Sequence, residues 1–208
     1  MKKFKIGNYN IGNDSPAFII AELSANHGGN IETALETIRA AKRAGADCIK
    51  LQTYTADTIT INSEKDDFII KGSLWDNRKL YDLYQEASLP WEWHKVLMDE
   101  AKKEGLICFS SPFDKTAVDF LEKLDVPAYK IASFEITDIP LIEYTASMGK
   151  PIIISTGIAS EEDIQLALDT CRNVGNNDIA LLKCTSSYPA PIEEANMVMV
   201  QDFQERFD

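Results

Sequence analysis

Histidine is nearly absent from this chain. His27 and His94 are the only two in 208 residues, so no metal site can be assembled from His and Cys spacing alone. Cysteine is sparse as well. Cys48, Cys108, Cys171 and Cys184 form no CxxC pair; lying in apolar or helical runs, they read as small buried hydrophobes in a reducing compartment. Long hydrophobic runs are missing, with no window near the roughly 18 apolar residues of a membrane span. The start, MKKFKIGNYNIGND, has lysines with no apolar run behind them, which is not the pattern of a secretory signal. These absences point to a cytoplasmic protein without a membrane partner. Positive charge is also short: 21 Lys and Arg stand against 33 Asp and Glu, a formal net charge of −12. No Lys/Arg cluster interrupts that balance, and without a basic patch nucleic acid is not an expected partner.

What the chain has is a rhythm. Six apolar runs, AFIIAEL (17–23), DCIKLQT (47–53), LICFSSP (106–112), AYKIAS (128–133), PIIIST (151–156) and IALLKCT (179–185), are near-continuous rather than alternating, as in parallel strands buried on both faces. Helical segments separate them. IETALETIRAAKRAGA (31–46) places Ile31, Ala34, Leu35, Ile38 and Ala41 on one stripe and ends at Gly45. Segments 93–105, 114–125, 138–149 and 160–175 read the same way, the last opening with a serine cap and an acidic first turn. Strand and helix thus alternate at intervals of roughly 25 residues, the mark of βα units. One interval is longer, and its extra segment, running from Tyr54 to Pro90, reads as an ordered, functional excursion.

A doubly wound sheet and a (β/α)8 barrel both accept this pattern. No GxGxxG follows the first run, where AELSANHGG stands instead, and polar residues follow every run rather than those at one switch point. That is the habit of a barrel, whose ligands sit at all the C-terminal strand ends. The expected fold class is therefore α/β, a TIM-type (β/α)8 barrel. With about 250 residues typical of a full barrel, the chain reads as roughly the first six βα units, the last two being absent.

Three of the runs also carry a lysine near their end: Lys50, Lys130 and Lys183. Removing an unpaired ammonium from water costs several kcal/mol, so the shared register suggests strand ends converging on an anion. By strand, the expected mouth offers Glu22, Asn26 and His27; Lys50 and Gln52; Ser110 and Ser111; Lys130, Ser133 and Glu135; Ser155 and Thr156; Lys183, Thr185, Ser186 and Tyr188. Cations and hydroxyls suit oxyanions, and carboxylates suit sugar hydroxyls or proton transfer. Plainer roles compete. Ser155, Thr156 or Ser160 can cap a following helix, Glu22 can be a structural ion-pair partner, His27 a turn residue beside Gly28 and Gly29, and Lys183 a snorkelling surface side chain.

The segments IIAELSANHGG, AGADCIKLQTY, EWH, FSSPFD, YKIASFE, ISTGIAS and LLKCTSSYPAP resemble, in order, the sialic acid synthase family, which condenses phosphoenolpyruvate with an amino-sugar aldose to make nine-carbon keto-acids. The insertion and CTSSYP resemble most the branch acting on 2,4-diacetamido-2,4,6-trideoxy-altrose; N-acetylneuraminate synthases usually have Asn where Ser186 stands, and they and legionaminic acid synthases are the alternatives. The resemblance implies that residues 1–208 are the N-terminal barrel domain of a longer, homodimeric protein that ends in an antifreeze-like domain. It implies phosphoenolpyruvate held by Lys130, Ser133, Ser155 and Ser186 with Lys50 and Gln52 nearby, and Glu22, Glu135 and Tyr188 toward the sugar. It further implies a divalent metal, Mn²⁺ or Mg²⁺, on two histidines in later segments, so that residues 1–208 hold no metal and have little turnover alone. Glu22, Lys50, Lys130 and Glu135 are the candidate catalytic residues; Asn26, Gln52, Ser133, Ser155, Ser186 and Tyr188 the candidate substrate-binding ones. A Schiff-base aldolase using Lys130 or Lys183 as nucleophile, or a non-catalytic sugar-phosphate binding domain, are competing readings.

Overall fold

The structure, a computed structural model, describes residues 3–12, 14–72, 75–187 and 189–207. Two compact units make it up: Ile19–Phe120, and Met1–Phe18 together with Leu121–Asp208.

The first unit holds three parallel strands, β3 (Ile20–Glu22), β4 (Cys48–Thr53) and β5 (Ile107–Pro112), labelled to follow an N-terminal hairpin of β1 (Phe4–Ile6) and β2 (Tyr9–Ile11) in the other unit. Helix α1 (Ile31–Arg43) starts where Asn30 Oδ1 accepts from the N–H of Glu32 at 2.8 Å. It stops before Gly45, whose φ of 91° suits a residue without a side chain. Its stripe buries Ala34 and Ile38 against Ile49 and Leu51 of β4 and Leu97 of α4 (Trp91–Lys103). Each buried Ile or Leu there stabilises by about 1.5–3 kcal/mol relative to exposure, and Leu97→Ala would cost about 2–5 kcal/mol. The long excursion is ordered: it contains α2 (Ala56–Ile59), a 3-10 turn at Asp66–Phe68 and α3 (Leu80–Ala87). Trp91 Nε1 donates to the Tyr54 carbonyl at 3.3 Å, which ties the two ends of the excursion together.

In the second unit β6 (Tyr129–Ile131), β7 (Ile152–Ser155) and β8 (Ile179–Leu182) run parallel, pairing Lys130 with Ile153 and Ser155 with Leu182. Between them lie α6 (Ile139–Ser147) and α7 (Glu161–Asn173), with α8 (Val198–Arg206) after β8; α5 (Lys115–Lys123) belongs to the chain where the units meet in sequence. Pro140 sits in the first turn of α6, where its missing N–H has no intrahelical partner to lose. Ser160 and Asp163 cap α7 reciprocally.

Two strand expectations need correction. The sequence reading gave MKKFKIGNYNIGND no structure, yet Phe4 pairs with Ile11 across a Gly7–Asn8 turn in an antiparallel hairpin; Gly7 has φ 57°, and a two-residue Gly-Asn link between apolar runs is a hairpin signal. Strands also end earlier than the apolar runs. Residues Ser133–Thr137 form a 3-10 turn rather than continuing β6, and β8 stops at Leu182, because the polar residues there bond locally.

Candidate active site

The second unit gathers six of the relevant groups at the ends of β6, β7 and β8. Lys130, in the middle of β6, is only 4% exposed. Its ammonium donates to the Ile131 carbonyl at 2.7 Å and to Ser155 Oγ at 2.5 Å. The Cys184 thiol donates to the same hydroxyl at 3.2 Å. One residue beyond Thr156, the Gly157 N–H donates to Ser133 Oγ at 3.3 Å. A methyl group on Gly157 would fall on Ser186 Oγ and lie 2.9 Å from Ser133 Oγ, so glycine is what lets the two serine hydroxyls close over this turn. Thr156 differs in kind: its Oγ1 donates to the Leu182 carbonyl at 3.0 Å, and it fastens β7 to the end of β8. Since α7 is capped by Ser160, whose Oγ accepts from the Asp163 N–H at 3.2 Å, capping does not account for Ser155.

Glu135 stands in the turn after β6, with Oε2 buried and without a hydrogen-bond partner. Burial raises its carboxyl above the ordinary value, and the Lys130 charge only partly offsets that. A buried carboxyl oxygen left unpaired costs about 1–3 kcal/mol. The arrangement is a small cradle of one ammonium, one backbone N–H, three serine hydroxyls and a carboxyl whose pKa burial raises. Such a set can hold an oxyanion and hand over a proton.

In the first unit, Lys50 is 5% exposed on β4 and forms an ion pair with Glu22, its partner in register on β3, at 3.4 Å. The pair answers the Lys50 charge while the Glu22 side chain stays open to solvent. Gln52 is partly buried opposite Ser111 of β5, whose Oγ is buried without a partner. Asn26 is exposed and donates to the Leu23 carbonyl at 3.0 Å. His27 is the turn residue: Nδ1 accepts from the Gly29 N–H at 3.0 Å. His94 Nε2 shares a 2.8 Å hydrogen bond with Thr53 Oγ1, which in turn meets Ser110 Oγ at 2.7 Å. Burial pushes His94 down to about 4, leaving the imidazole neutral at pH 7.

The candidate residues therefore form two clusters, one in each unit. Tyr188 lies outside the described residues. Lys183 sits just past the end of β8, and its ammonium donates to Thr185 Oγ1 at 2.9 Å and the Glu194 carbonyl at 3.1 Å, which braces the loop. Cys184 is corrected, being half-buried with its thiol on Ser155 rather than a buried hydrophobe. Gly157 was missed altogether.

Comparison with known proteins gives this geometry a context. Residues 37–208 match the NeuB family. The chain belongs to it. Over 204 residues this NeuB-family chain is 52% identical to pseudaminic acid synthase of Campylobacter jejuni, covering 98% of this chain and 59% of that protein. To pseudaminic acid synthase of Helicobacter pylori it is 52% identical over 192 residues, with 92% and 56% covered. A crystal structure of N-acetylneuraminic acid (sialic acid) synthetase from Leptospira borgpetersenii, in complex with citrate, superposes with a TM-score of 0.86 at 30% identity, over 99% of this chain and 67% of that one. The resemblance to sialic acid synthases is borne out, and the fold class is the α/β, TIM-type barrel class of these proteins, here as six βα units. The chain spans somewhat over half the length of these curated relatives, 59% of the Campylobacter one.

A divalent metal does not fit these residues. Among the described residues no three His, Cys, Asp or Glu side chains group so as to hold one, and His94 is occupied by Thr53. No helix among them is long and apolar enough to cross a membrane.

Proposed function

We propose that this chain binds phosphoenolpyruvate in the Lys130 cradle, as part of a pseudaminic acid synthase. The reaction joins phosphoenolpyruvate, 2,4-diacetamido-2,4,6-trideoxy-altrose and water into pseudaminic acid and phosphate. Carbon 3 of the enol attacks the aldehyde, water adds at carbon 2, and the tetrahedral intermediate expels phosphate by C–O cleavage.

The observation that carries this reading is the buried Lys130 ammonium, held on Ser155 Oγ at 2.5 Å beside two serine hydroxyls at Gly157. Fixed donors of this kind stabilise developing and departing anionic charge without reorganising. An ammonium donating to two oxygens suits a cation that grips an anion; a Schiff-base nucleophile needs a free neutral amine. In this reading Ser133, Ser155, Ser186 and the Gly157 N–H bind the phosphate or carboxylate, and Glu135, with its raised affinity for a proton, protonates the oxygen that the aldehyde leaves behind. For Glu22, Lys50, Asn26 and Gln52 we propose roles in handling the same reactants, supported by the Glu22–Lys50 pair and the half-buried Gln52. The altrose-derived sugar, rather than an N-acetylneuraminate or legionaminate precursor, is supported by the 52% identity to two pseudaminic acid synthases. A homodimer and a divalent metal belong to the proposal for the complete protein, and no step is assigned to the metal. A cytoplasmic location accords with four free cysteines.

The test incubates the complete gene product with phosphoenolpyruvate carrying ¹⁸O at the bridging oxygen and the diacetamido aldose. The label is expected in the released phosphate. Phosphate without label, or no condensation, would overturn the reading.

A further inference from the structure

One hydroxyl in the cradle has both of its lone pairs taken. A hydroxyl offers one O–H donor and two acceptor lone pairs, whereas an ammonium can only donate. Ser155, buried at the end of β7, accepts from the Lys130 ammonium at 2.5 Å and from the Cys184 thiol at 3.2 Å. Among the described residues these are the hydrogen bonds of its Oγ, and both are accepted, which leaves its proton to be donated. The neighbouring hydroxyls are held differently. Thr156 gives its proton to the Leu182 carbonyl at 3.0 Å, and Ser133 Oγ accepts once, from the Gly157 N–H at 3.3 Å. A buried donor without an acceptor is costly. The acceptor that suits a proton beside a fixed ammonium is an anionic oxygen.

The fold puts Cys184 where it acts. It lies two residues past the end of β8, and a methyl group on Gly157 would come within 3.4 Å of its Cβ, so the β8 loop and the Gly157 turn hold it in close quarters. We propose that Cys184 is a positioning residue: its thiol occupies the second lone pair of Ser155 and so turns the proton of that hydroxyl toward the bound anion. The proposal rests on the phosphoenolpyruvate reading above. Without the thiol, the hydroxyl can rotate about its Cβ–Oγ bond and present a lone pair, which repels an oxyanion, in place of a proton, which attracts it. An S–H is a weak donor. The effect is therefore several-fold and smaller than the loss of a direct ligand contact.

The test is calorimetric titration of phosphoenolpyruvate into the complete gene product and its variants. Cys184→Ala removes donor and bulk, Cys184→Val removes the donor and keeps bulk, and Cys184→Ser keeps a donor. Cys184→Ala and Cys184→Val are each expected to weaken the Kd about 3- to 10-fold, and Cys184→Ser to hold it within about twofold. A role in filling space reverses that order, with Cys184→Val the mildest. In a Ser155→Ala background, Cys184→Ala is expected to add nothing, because it acts through that hydroxyl. An unchanged or tighter Kd in Cys184→Ala, a loss in Cys184→Ser equal to that in Cys184→Ala, or an undiminished loss in the Ser155→Ala background overturns the inference. Thermal midpoints are recorded throughout; if Cys184→Ala fails to fold, Cys184→Val against Cys184→Ser carries the same comparison. If the unaltered protein does not bind phosphoenolpyruvate, the functional reading fails and the role of Cys184 falls with it; if it binds and the variants bind equally, only the role of Cys184 falls.

Discussion

Two lysines buried to the same degree sit in different electrostatic settings. Lys50 faces Glu22 across a parallel register at 3.4 Å, and Glu22 remains open to solvent. Its charge is answered by an ionised partner that water also stabilises. Lys130 is answered by a carbonyl and a hydroxyl, with Glu135 held toward its protonated form by burial. Dipoles compensate an ammonium less completely than a carboxylate does. At the ends of β3 and β4 the lysine is held by a carboxylate in register, and at the ends of β6 and β7 it is held on a carbonyl and a serine hydroxyl. Burial alone does not mark a binding lysine; the kind of groups that hold it does.

The largest effect is expected where the cradle closes. Gly157→Ala puts a methyl group onto Ser186 Oγ and against Ser133 Oγ; overpacking of this sort costs about 1–3 kcal/mol, and with both hydroxyls displaced kcat/KM for phosphoenolpyruvate should fall on the order of 100-fold. A fall no larger than that of Ser186→Ala would show that the glycine is not needed there. Next, Lys50→Ala should cost less than Lys130→Ala, about tenfold or under, because the partner it leaves behind, Glu22, is open to solvent and is not stranded as a buried charge. Equal losses would erase the contrast between the two units.

Glu135 sharpens the contrast through pH. Its folded affinity for protons is raised by burial, so the folded state binds its proton more tightly than the unfolded chain does. The carboxylate therefore costs stability above its folded pKa, and that cost disappears as pH falls through the folded pKa toward the unfolded value. Glu135→Gln should raise the thermal midpoint at pH 7 while lowering kcat, and should remove any fall in rate with rising pH that Glu135 causes. A lower midpoint would mean that the carboxyl is satisfied in the folded protein. The smallest effect concerns the helix start: Ser160→Ala should cost about 1 kcal/mol of stability and leave kinetics alone. A loss of activity there would place Ser160 in the site and not at a cap.

These residues also show what a sequence displays and what it hides. Lys130 was legible because an ammonium inside YKIAS contradicts its apolar neighbours, a conflict visible within eight residues. The six βα units were legible for the same local reason, since run length and helical stripe are short-range patterns. Gly157 was not legible. Its meaning comes from the close approach of Ser133 and Ser186, which are remote from it in the chain, and ISTGIAS offers no local oddity. The hairpin had its signal in FKI-GN-YNI, where a Gly-Asn link joins two runs of only three residues each. Lys183 shared the lysine register and yet braces a loop, because β8 ends one residue before it.

The central claim is that Lys130 binds the anion of phosphoenolpyruvate. Calorimetric titration of phosphoenolpyruvate into the complete gene product and its Lys130→Ala variant tests it directly. A lost charge-assisted hydrogen bond of about 1.5–3 kcal/mol predicts a Kd weakened roughly 10- to 150-fold, with the sugar's KM unmoved. An unchanged Kd for phosphoenolpyruvate, with the loss appearing only in the sugar's KM, would contradict the account.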